Sequence, residues 1–506
     1  MGEKVRTNGW VTTTVGEVAT LVRGITYKKE QAAKSSSPDF KPVLRANNIN
    51  GTLNFDDLVF VPRNLIGSEQ IIKAGDIIFA MSSGSKHLVG KSARARFDFD
   101  GSYGAFCGLL RAHEHVNKDF LYYVFQNNKF RRLISEVAKG SNINNLKREH
   151  ILDFEIALPP HNEQHRIVAK IEELFSELDK GVESMKTAQA QIKVYRQALL
   201  KHAFKGKLTA QWRAANQDKL ETADTLLKRI QQERAARYQK QLAYWQANGG
   251  SKPKAPKSLP PLTNEELAEL PEPPEGWVGA RLGWMTCSVE YGTSAKSAEF
   301  GACPVLRMGN IQNGKFDWTD LVYTDDEVEI AKYLLREGDV LFNRTNSPEL
   351  VGKSAIFKSK LPVIFAGYLI RVNQIETIAE SQYLNYYLNS HIAKQHGNTV
   401  KTDGVNQSNI NGEKLVNYPF PFCTLEEQKV IVEVLDARLS EVDQLELTIA
   451  TSLQQSEALR QSILKKAFSG QLVPQDPQDE PASVLLERIR AERLLEVKPK
   501  RKGKKP

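Results

Sequence analysis

The residues that could do chemistry in this sequence are few, and their spacing decides what they are worth. LVGKSA stands at 88–93 and again at 350–355, and Gly-Lys-Ser is how a phosphate-binding loop ends. Such a loop needs a further glycine five positions before Gly90 or Gly352, so that consecutive backbone N–H groups can close around a phosphate. Those positions hold Ser85 and Ser347, so both copies read as turns entering strands. An adenine methyltransferase would show Asn or Asp before Pro-Pro and an aromatic residue, with a glycine-rich cofactor loop. The Pro-Pro pairs at 159–160, 260–261 and 273–274 are followed by His161, Leu262 and Glu275, and no G-x-G-x-x-G occurs. A nuclease would need paired carboxylates beside a lysine. Glu427-Gln428-Lys429 has the residue types, but it lies at a predicted helix start without a companion acid and reads as a solvated first turn. The nine histidines read as forming neither an HxxxH pair nor a His/Asp/Ser group. These readings assign the chain no catalytic residue, no metal and no cofactor of its own.

What remains is suited to binding. Polar and basic loops follow apolar strands in both halves, and such side chains pair with base edges and phosphates. The first half offers Tyr27 and Lys28, then Arg45, Asn47 and Asn48. It continues with Ser82, Ser83, Ser85 and Lys86, and with Asn142 and Asn144. The second half offers Arg307 and Asn310, then Asn343, Arg344, Thr345 and Asn346, and finally Thr402, Asn406 and Gln407. These are the candidate DNA-contacting residues. VLR, Gly-Asp and VGKSA recur between the halves while the loop tips diverge, as two heads reading different sequences would require.

The chain has 506 residues, enough for several domains and a sizeable core. Its net charge is +9, of which the tail KPKRKGKKP supplies six cations, so composition alone does not establish a nucleic-acid partner. The four cysteines lack metal-ligand spacing, no apolar run approaches the roughly 20 residues of a membrane span, and the N-terminus shows no signal-peptide core. A cytoplasmic protein without a membrane partner is expected.

The loops must be positioned by a duplicated frame. RQALLKHAFKGKL at 196–208 returns as RQSILKKAFSGQL at 460–472, an offset of 264 residues with eight of 13 positions identical. Both copies read as helix ends, with Gly206 and Gly470 as the terminating glycines. Upstream, Ile171, Leu178, Met185, Ile192 and Leu199 hold a heptad a position, and d positions include Leu174, Ala188 and Tyr195. Leu435, Val442, Ile449 and Ile463 repeat the a positions in the second half, and Phe204 and Phe468 close the two stripes. A stripe this long needs a partner helix, and the two long helices are each other's partner. Asn162 is the expected cap of the first helix.

The fold expected is α+β: two mixed α/β heads in internal repeat, joined by two long antiparallel coiled-coil helices with pseudo-twofold symmetry. The divisions read from the sequence are a head at 1–159, a spacer-helix region at 160–215, a second helix and Pro/Gly/Lys linker at 216–275, a second head at 276–421, a second spacer-helix region at 422–475, and a trailing helix with basic tail at 476–506.

With the doubled RQ-x-LL-K-x-AF-x-G-x-L ends, the paired Gly-Trp-Val starts (9–11, 276–278) and Pro-Pro-x-x-Glu-Gln at 159–164, the chain resembles the specificity subunit of a Type I restriction–modification enzyme. The resemblance covers 1–495. The first half (RGITYKKEQA, RANNI, AMSSGSK, VGKSA, GAFCG) resembles one target-recognition domain type, whereas the second follows only the shared frame. The resemblance implies double-stranded DNA as a partner, each head reading one part of a gapped site. It implies that the heptad positions and Phe204 and Phe468, besides pairing the helices, dock two methyltransferase subunits that use S-adenosylmethionine to methylate adenine at N6. Two motor–nuclease subunits using ATP and Mg²⁺ complete such a complex. The alternative is the specificity subunit of a related methylating system, Type IIB-like or phage-exclusion, that lacks the motor–nuclease. The helices would set the gap between half-sites, so a heptad added to both should lengthen it by up to about three base pairs.

Overall fold

The computed structural model describes residues 9–82, 89–139, 145–249, 252–253, 255–256 and 258–496. The chain separates into two units, residues 1–186 with 450–506, and residues 187–449. Each unit holds one head and a part of both long helices.

The first head closes on its own ends: Val11–Thr14 pairs antiparallel with Glu155–Leu158, placing Val11 opposite Leu158. Between them runs a four-stranded antiparallel sheet in the order Ala19–Arg23, Cys107–Ala112, Ile77–Ala80, Ser92–Arg94. A second sheet contains Val59–Pro62, Phe40–Leu44 and Ser102–Tyr103. Ile77–Ala80 is buried at every position because both faces are covered. Ile77 and Phe79 join a core with Phe120, Ile167 and Ile171, while Ile78 and Ala80 join one with Leu44 and Tyr103. That is the period-two pattern of a strand with apolar material on each side.

The second head repeats this frame with Thr286–Tyr291, Leu369–Gln374, Val340–Asn343 and Ser354–Ile356, closed by Val278–Arg281 against Pro419–Phe422. The recurring Gly-Asp has a structural reason. Gly75 and Gly338 take φ of +90° and +93°, which glycine tolerates. The following aspartates then accept from Lys73 N and Arg111 Nε, and from Arg336 N and the Arg371 guanidinium. The VGKSA copies at 89–93 and 351–355 are turns leading into Ser92–Arg94 and Ser354–Ile356, as read from their spacing.

The long helices are His161–Phe204 and Leu425–Ala467, each about 65 Å long. The first starts one residue before Asn162, which therefore sits inside the first turn rather than capping it. The second is capped by Thr424, whose Oγ1 accepts from Glu427 N at 3.4 Å. Both ends are glycine-terminated as expected. Lys207 N bonds His202 O and Gly206 N bonds Ala203 O, and Gln471 and Gly470 repeat the pattern, with φ of +64° and +70° at the glycines.

Within each unit the two helix parts run antiparallel. In the first unit Arg460 pairs with Asp179 while Arg166 pairs with Asp479. In the second, Arg196 bonds Asp443 (2.8 Å) and Glu446 (3.1 Å), while Arg213 pairs with Glu427. Arg196 and Arg460 are repeat mates, and so are Asp443 and Asp179, so one contact occurs twice with its partners exchanged. Burial raises the Asp443 pKa, but bonds from Lys315 and Arg196 outweigh it and hold the group below its ordinary value.

The heptad is only partly as predicted. Ile171 and Ile463 are buried in the first unit, and Ile192, Leu199, Phe204, Leu435 and Val442 in the second. Leu178, Met185 and Ile449 are half-buried, as is Phe468. Tyr195, assigned to a d position, is instead 48% exposed beside Val194 at 70%.

The trailing helices Ala223–Asn248 and Ala482–Glu496 join the cores through Leu226 and Ile230, and through Leu485, Leu486 and Ile489. Arg493 donates to Gly16 O and Ala19 O, and its mate Arg234 to Thr286 O.

Candidate nucleic-acid interface

Three segments distant in sequence meet at one edge of each head, by the same bonds in both. In the first, Met81 N and Ser82 N both donate to Phe106 O (2.9 and 3.1 Å), Leu146 N donates to Met81 O (2.7 Å), and Ser82 bridges Asn145. In the second, Arg344 N donates to Tyr368 O (3.0 Å), Ile410 N donates to Arg344 O (2.8 Å), and Thr345–Asn346 pairs with Ser408–Asn409. Segments beside some of the loops picked singly from the sequence therefore converge: 81–82 with 145–146, and 344–346 with 408–410. Ser82 belongs to this edge, as do Asn343, Arg344, Thr345 and Asn346. Thr402, Asn406 and Gln407 are all exposed and border the tip of the hairpin Thr402–Asp403/Ser408–Asn409, whose Val405 is fully exposed. Ser83, Ser85, Lys86, Asn142 and Asn144 lie outside the described residues.

Arg344 is poised by its surroundings. Its guanidinium carbon lies 4.8 Å from the Tyr291 ring centroid, a cation–π arrangement. The Tyr291 hydroxyl accepts from Gly412 N at 2.8 Å, which fixes that ring. Asn343 and Thr345 are buried: Asn343 Oδ1 accepts from Thr345 N, and Thr345 Oγ1 accepts from Asn409 Nδ2 at 2.7 Å. They shape the loop from beneath. The Asn343 side-chain nitrogen is buried without a hydrogen-bond partner.

The Arg-Asn pairs of RANNI and RMGNI have another task. Asn48 is buried, its Oδ1 accepting from Arg45 N (2.8 Å) and its Nδ2 donating to Asp56 O (2.9 Å). Arg45 reaches Asp57 Oδ2 and O. Asn310 does the same with Arg307 N and Asp317 O, and Arg307 with Asp320. These four side chains latch a loop in each head, and the two asparagines leave the candidate contact set, since a buried amide with both ends bonded cannot reach a base. Asn47 and Lys28 are exposed, while Tyr27 packs partly against Ile25, Val43 and Val61. The bridge Ile25↔Gly104 brings Tyr27 near the turn that carries Phe106.

That turn holds what the sequence reading missed. Within GAFCGLLRA at 104–112 the apolar run reads as one buried strand, but the strand begins at Cys107, and Phe106 stands 68% exposed at the turn before it. Tyr368 occupies the matching turn of the second head at 52% exposure. The signal available was an aromatic residue flanked by small ones in both halves (Gly-Ala-Phe, Ala-Gly-Tyr). Beneath Phe106, Cys107 is a packing residue, its thiol pushed up to about 12 by burial.

Glu427 is the plainest correction. It is fully buried, not a solvated first turn. It accepts from Trp277 Nε1 (2.9 Å) and Thr209 Oγ1 (2.6 Å) and pairs with Arg213. Glu163 is its mate and accepts from Trp10 Nε1 at 3.0 Å. Beside each glutamate a buried glutamine finishes the joint: Gln164 Oε1 accepts from Asn117 N and Gln428 Oε1 from Glu380 N. The Gly-Trp and Glu-Gln motifs therefore fasten each head to its long helix. His161 and His165 also form the HxxxH spacing that the sequence reading passed over, with their Nε2 atoms 3.3 Å apart.

Two heads on one frame, each gathering divergent loops at one edge, describe a DNA-specificity protein, and comparison with known proteins agrees. The model of the Type I restriction modification DNA specificity domain matches residues 7–193 and 290–455. The chain is 32% identical over 501 residues to the EcoKI specificity subunit of Escherichia coli K12, covering 96% of each. It is 30% identical to the StySPI specificity subunit of Salmonella potsdam, again over 96% of each chain. Among solved structures, a chain from work on complex assembly and conformational transition of the type I R-M system aligns with a TM-score of 0.62 and 19% identity, over 92% of this chain and 98% of that one. The chain belongs to the family of Type I restriction–modification DNA specificity subunits, the DNA-recognition members of those systems rather than the catalytic ones. Among the described residues no helix is long and apolar enough to cross a membrane.

Proposed function

We propose that each head reads one half of a bipartite, gapped site in double-stranded DNA through the edge where its three segments converge. The observation that carries this reading is the shared bond pattern beneath loop tips that differ between heads. A common frame with different side chains is what two unlike half-sites demand. Phe106 and Tyr368 lie on these edges with Ser82 and Arg344, and are assigned to the same surface.

The long helices dock two methyltransferase subunits, which bring S-adenosylmethionine and methylate adenine at N6 after rotating it out of the duplex. Most of the predicted docking positions are buried in the cores that the helices share with the heads. The docking surface is assigned instead to apolar residues left in water: Val194, Tyr195, Leu445 and Leu447 in the second unit and Leu459 in the first. Two motor–nuclease subunits complete the complex with ATP and Mg²⁺, which serve those partners.

The test is base-resolution mapping of N6-methyladenine in a methylation-free host that co-expresses this chain with the methyltransferase encoded beside it. A two-part gapped motif that appears only when this chain is present supports the reading. A stable complex that leaves DNA unmethylated rejects it, and absence of any complex rejects the docking surface. Adding a heptad to both helices then examines the gap, which should lengthen by up to about three base pairs.

A further inference from the structure

The first unit contains a cluster that neither DNA reading nor helix pairing uses. His113 and His115 follow the strand Cys107–Ala112, and Glu492 comes from the C-terminal trailing helix, 377 residues from His115. His115 Nε2 lies 3.0 Å from Glu492 Oε1, and His113 Nε2 lies 3.5 Å from Glu492 Oε2. One donor atom from each of the three residues falls within 4.8 Å of the others. Zinc bound by nitrogen and oxygen at about 2.0–2.1 Å holds neighbouring ligand atoms about 3.3 Å apart in a tetrahedron. The His115 Nε2–Glu492 Oε1 edge, at 3.0 Å, is already within a few tenths of an ångström of that value.

The backbone around the cluster is set in advance. His113 N donates to Val18 O, Val116 N donates back to His113 O, and His115 O accepts from His161 Nδ1 at 2.8 Å. The helix under Glu492 is fixed by buried Leu485, Leu486 and Ile489, and by Arg493 bonding Gly16 O and Ala19 O. Arg493 is therefore not the partner of Glu492. All three ligand residues are half-buried, open enough for an ion and a water to enter.

The second unit is a control built into the same chain. With TLLKRIQQERA (225–235) set against VLLERIRAERL (484–494), Glu233 is the mate of Glu492 on the first trailing helix, and Ile375 and Thr377 follow the matching strand. There the contact is one hydrogen bond, Thr377 Oγ1 to Glu233 Oε2 at 3.0 Å, and Ile375 is buried. A hydroxyl suffices to seat that helix. In the first unit, two imidazoles converge on both oxygens of the carboxylate instead.

We propose that His113, His115 and Glu492 bind a divalent cation of the zinc class, which ties the C-terminal trailing helix to the first head. Three N/O ligands suit zinc, with water in the fourth position. In this reading the ion ties two segments 377 residues apart in sequence. Binding should release protons and raise the thermal stability of the first unit.

The test uses the full-length, tag-free, metal-stripped chain titrated with Zn²⁺ against a chromophoric chelator. One equivalent should bind and the melting temperature should rise. Losing an outer partner of a bound metal typically weakens it about 10–100-fold, so losing a ligand in His113→Ala, His115→Ala or Glu492→Gln should cost more than about 100-fold. Glu492→Gln preserves size and hydrogen bonding, and serves even if a histidine variant fails to fold. Thr377→Ala should leave zinc binding unchanged. Absence of zinc binding in the wild type overturns the proposal. So does binding that survives all three substitutions, or that is lost only in His161→Ala or His165→Ala. DNA methylation by the wild type is scored separately, so failure here does not bear on the DNA reading.

Discussion

The two joints between head and long helix share a motif and differ in how completely it is satisfied. In the second unit Trp277, Thr209 and Arg213 converge on Glu427, so the buried carboxylate has partners on both oxygens. In the first, Trp10 reaches Glu163 Oε2, but Oε1 is buried without a partner. The sequence explains the difference: at the repeat offset, Val473 stands where Thr209 does and Pro477 where Arg213 does. Arg166 is committed to Asp479 and does not supply the missing bond. Burial consequently pushes the Glu163 pKa up, against the opposing effects of the Trp10 bond and the Arg166 charge. Duplicated frames keep the backbone and the anchoring Trp–Glu bond more faithfully than the bonds around it.

The largest expected effect breaks the satisfied joint. Arg213→Ala leaves a fully buried carboxylate without its cation and should cost about 3–5 kcal/mol in denaturant unfolding of the second unit. A cost below about 1 kcal/mol would mean that the pairing with Arg213 contributes little and that the two joints are energetically alike.

Next come the reading edges. Phe106→Ala and Tyr368→Ala should each weaken recognition of one half-site by about 1–3 kcal/mol, as loss of a base contact does. Arg344→Ala should likewise act on the second head's half-site alone. The readout is methylation of DNAs altered in one half at a time. Equal loss at both halves would recast these residues as phosphate or packing contacts.

The smallest effects repair the weaker joint. Val473→Thr offers Glu163 the hydroxyl that Glu427 already has and should add about 1 kcal/mol to the first unit. The pH dependence gives a second measure. Because the folded-state pKa of Glu163 is raised, its contribution to stability is fully present below the unfolded pKa and is lost as pH rises through the folded value. Glu163→Gln should therefore match the wild type in acid and gain on it as pH rises past that window. A wild-type-to-variant difference that stays flat with pH would show that Glu163 does not titrate abnormally.

The sequence by itself determined the duplication, the α+β heads, the two long helices with their glycine ends, and the family. These follow from local regularities: heptad spacing, strand alternation, turn glycines and a motif repeated at a fixed offset. Tertiary structure decided what each polar side chain does. Asn48 and Asn310 sit in polar loops that resemble contact loops, yet their amides are folded inward on their own turns. Glu427 occupies a helix start of the usual solvated kind, yet meets Trp277 and Thr209 across 150 and 218 residues. Phe106 looks like a strand residue and stands in solvent, because the sheet begins one position later. The cause is common to all: periodicity records which face of an element is apolar, whereas the partner of a polar atom is set by which distant segments the packed core brings within about 3 Å of it.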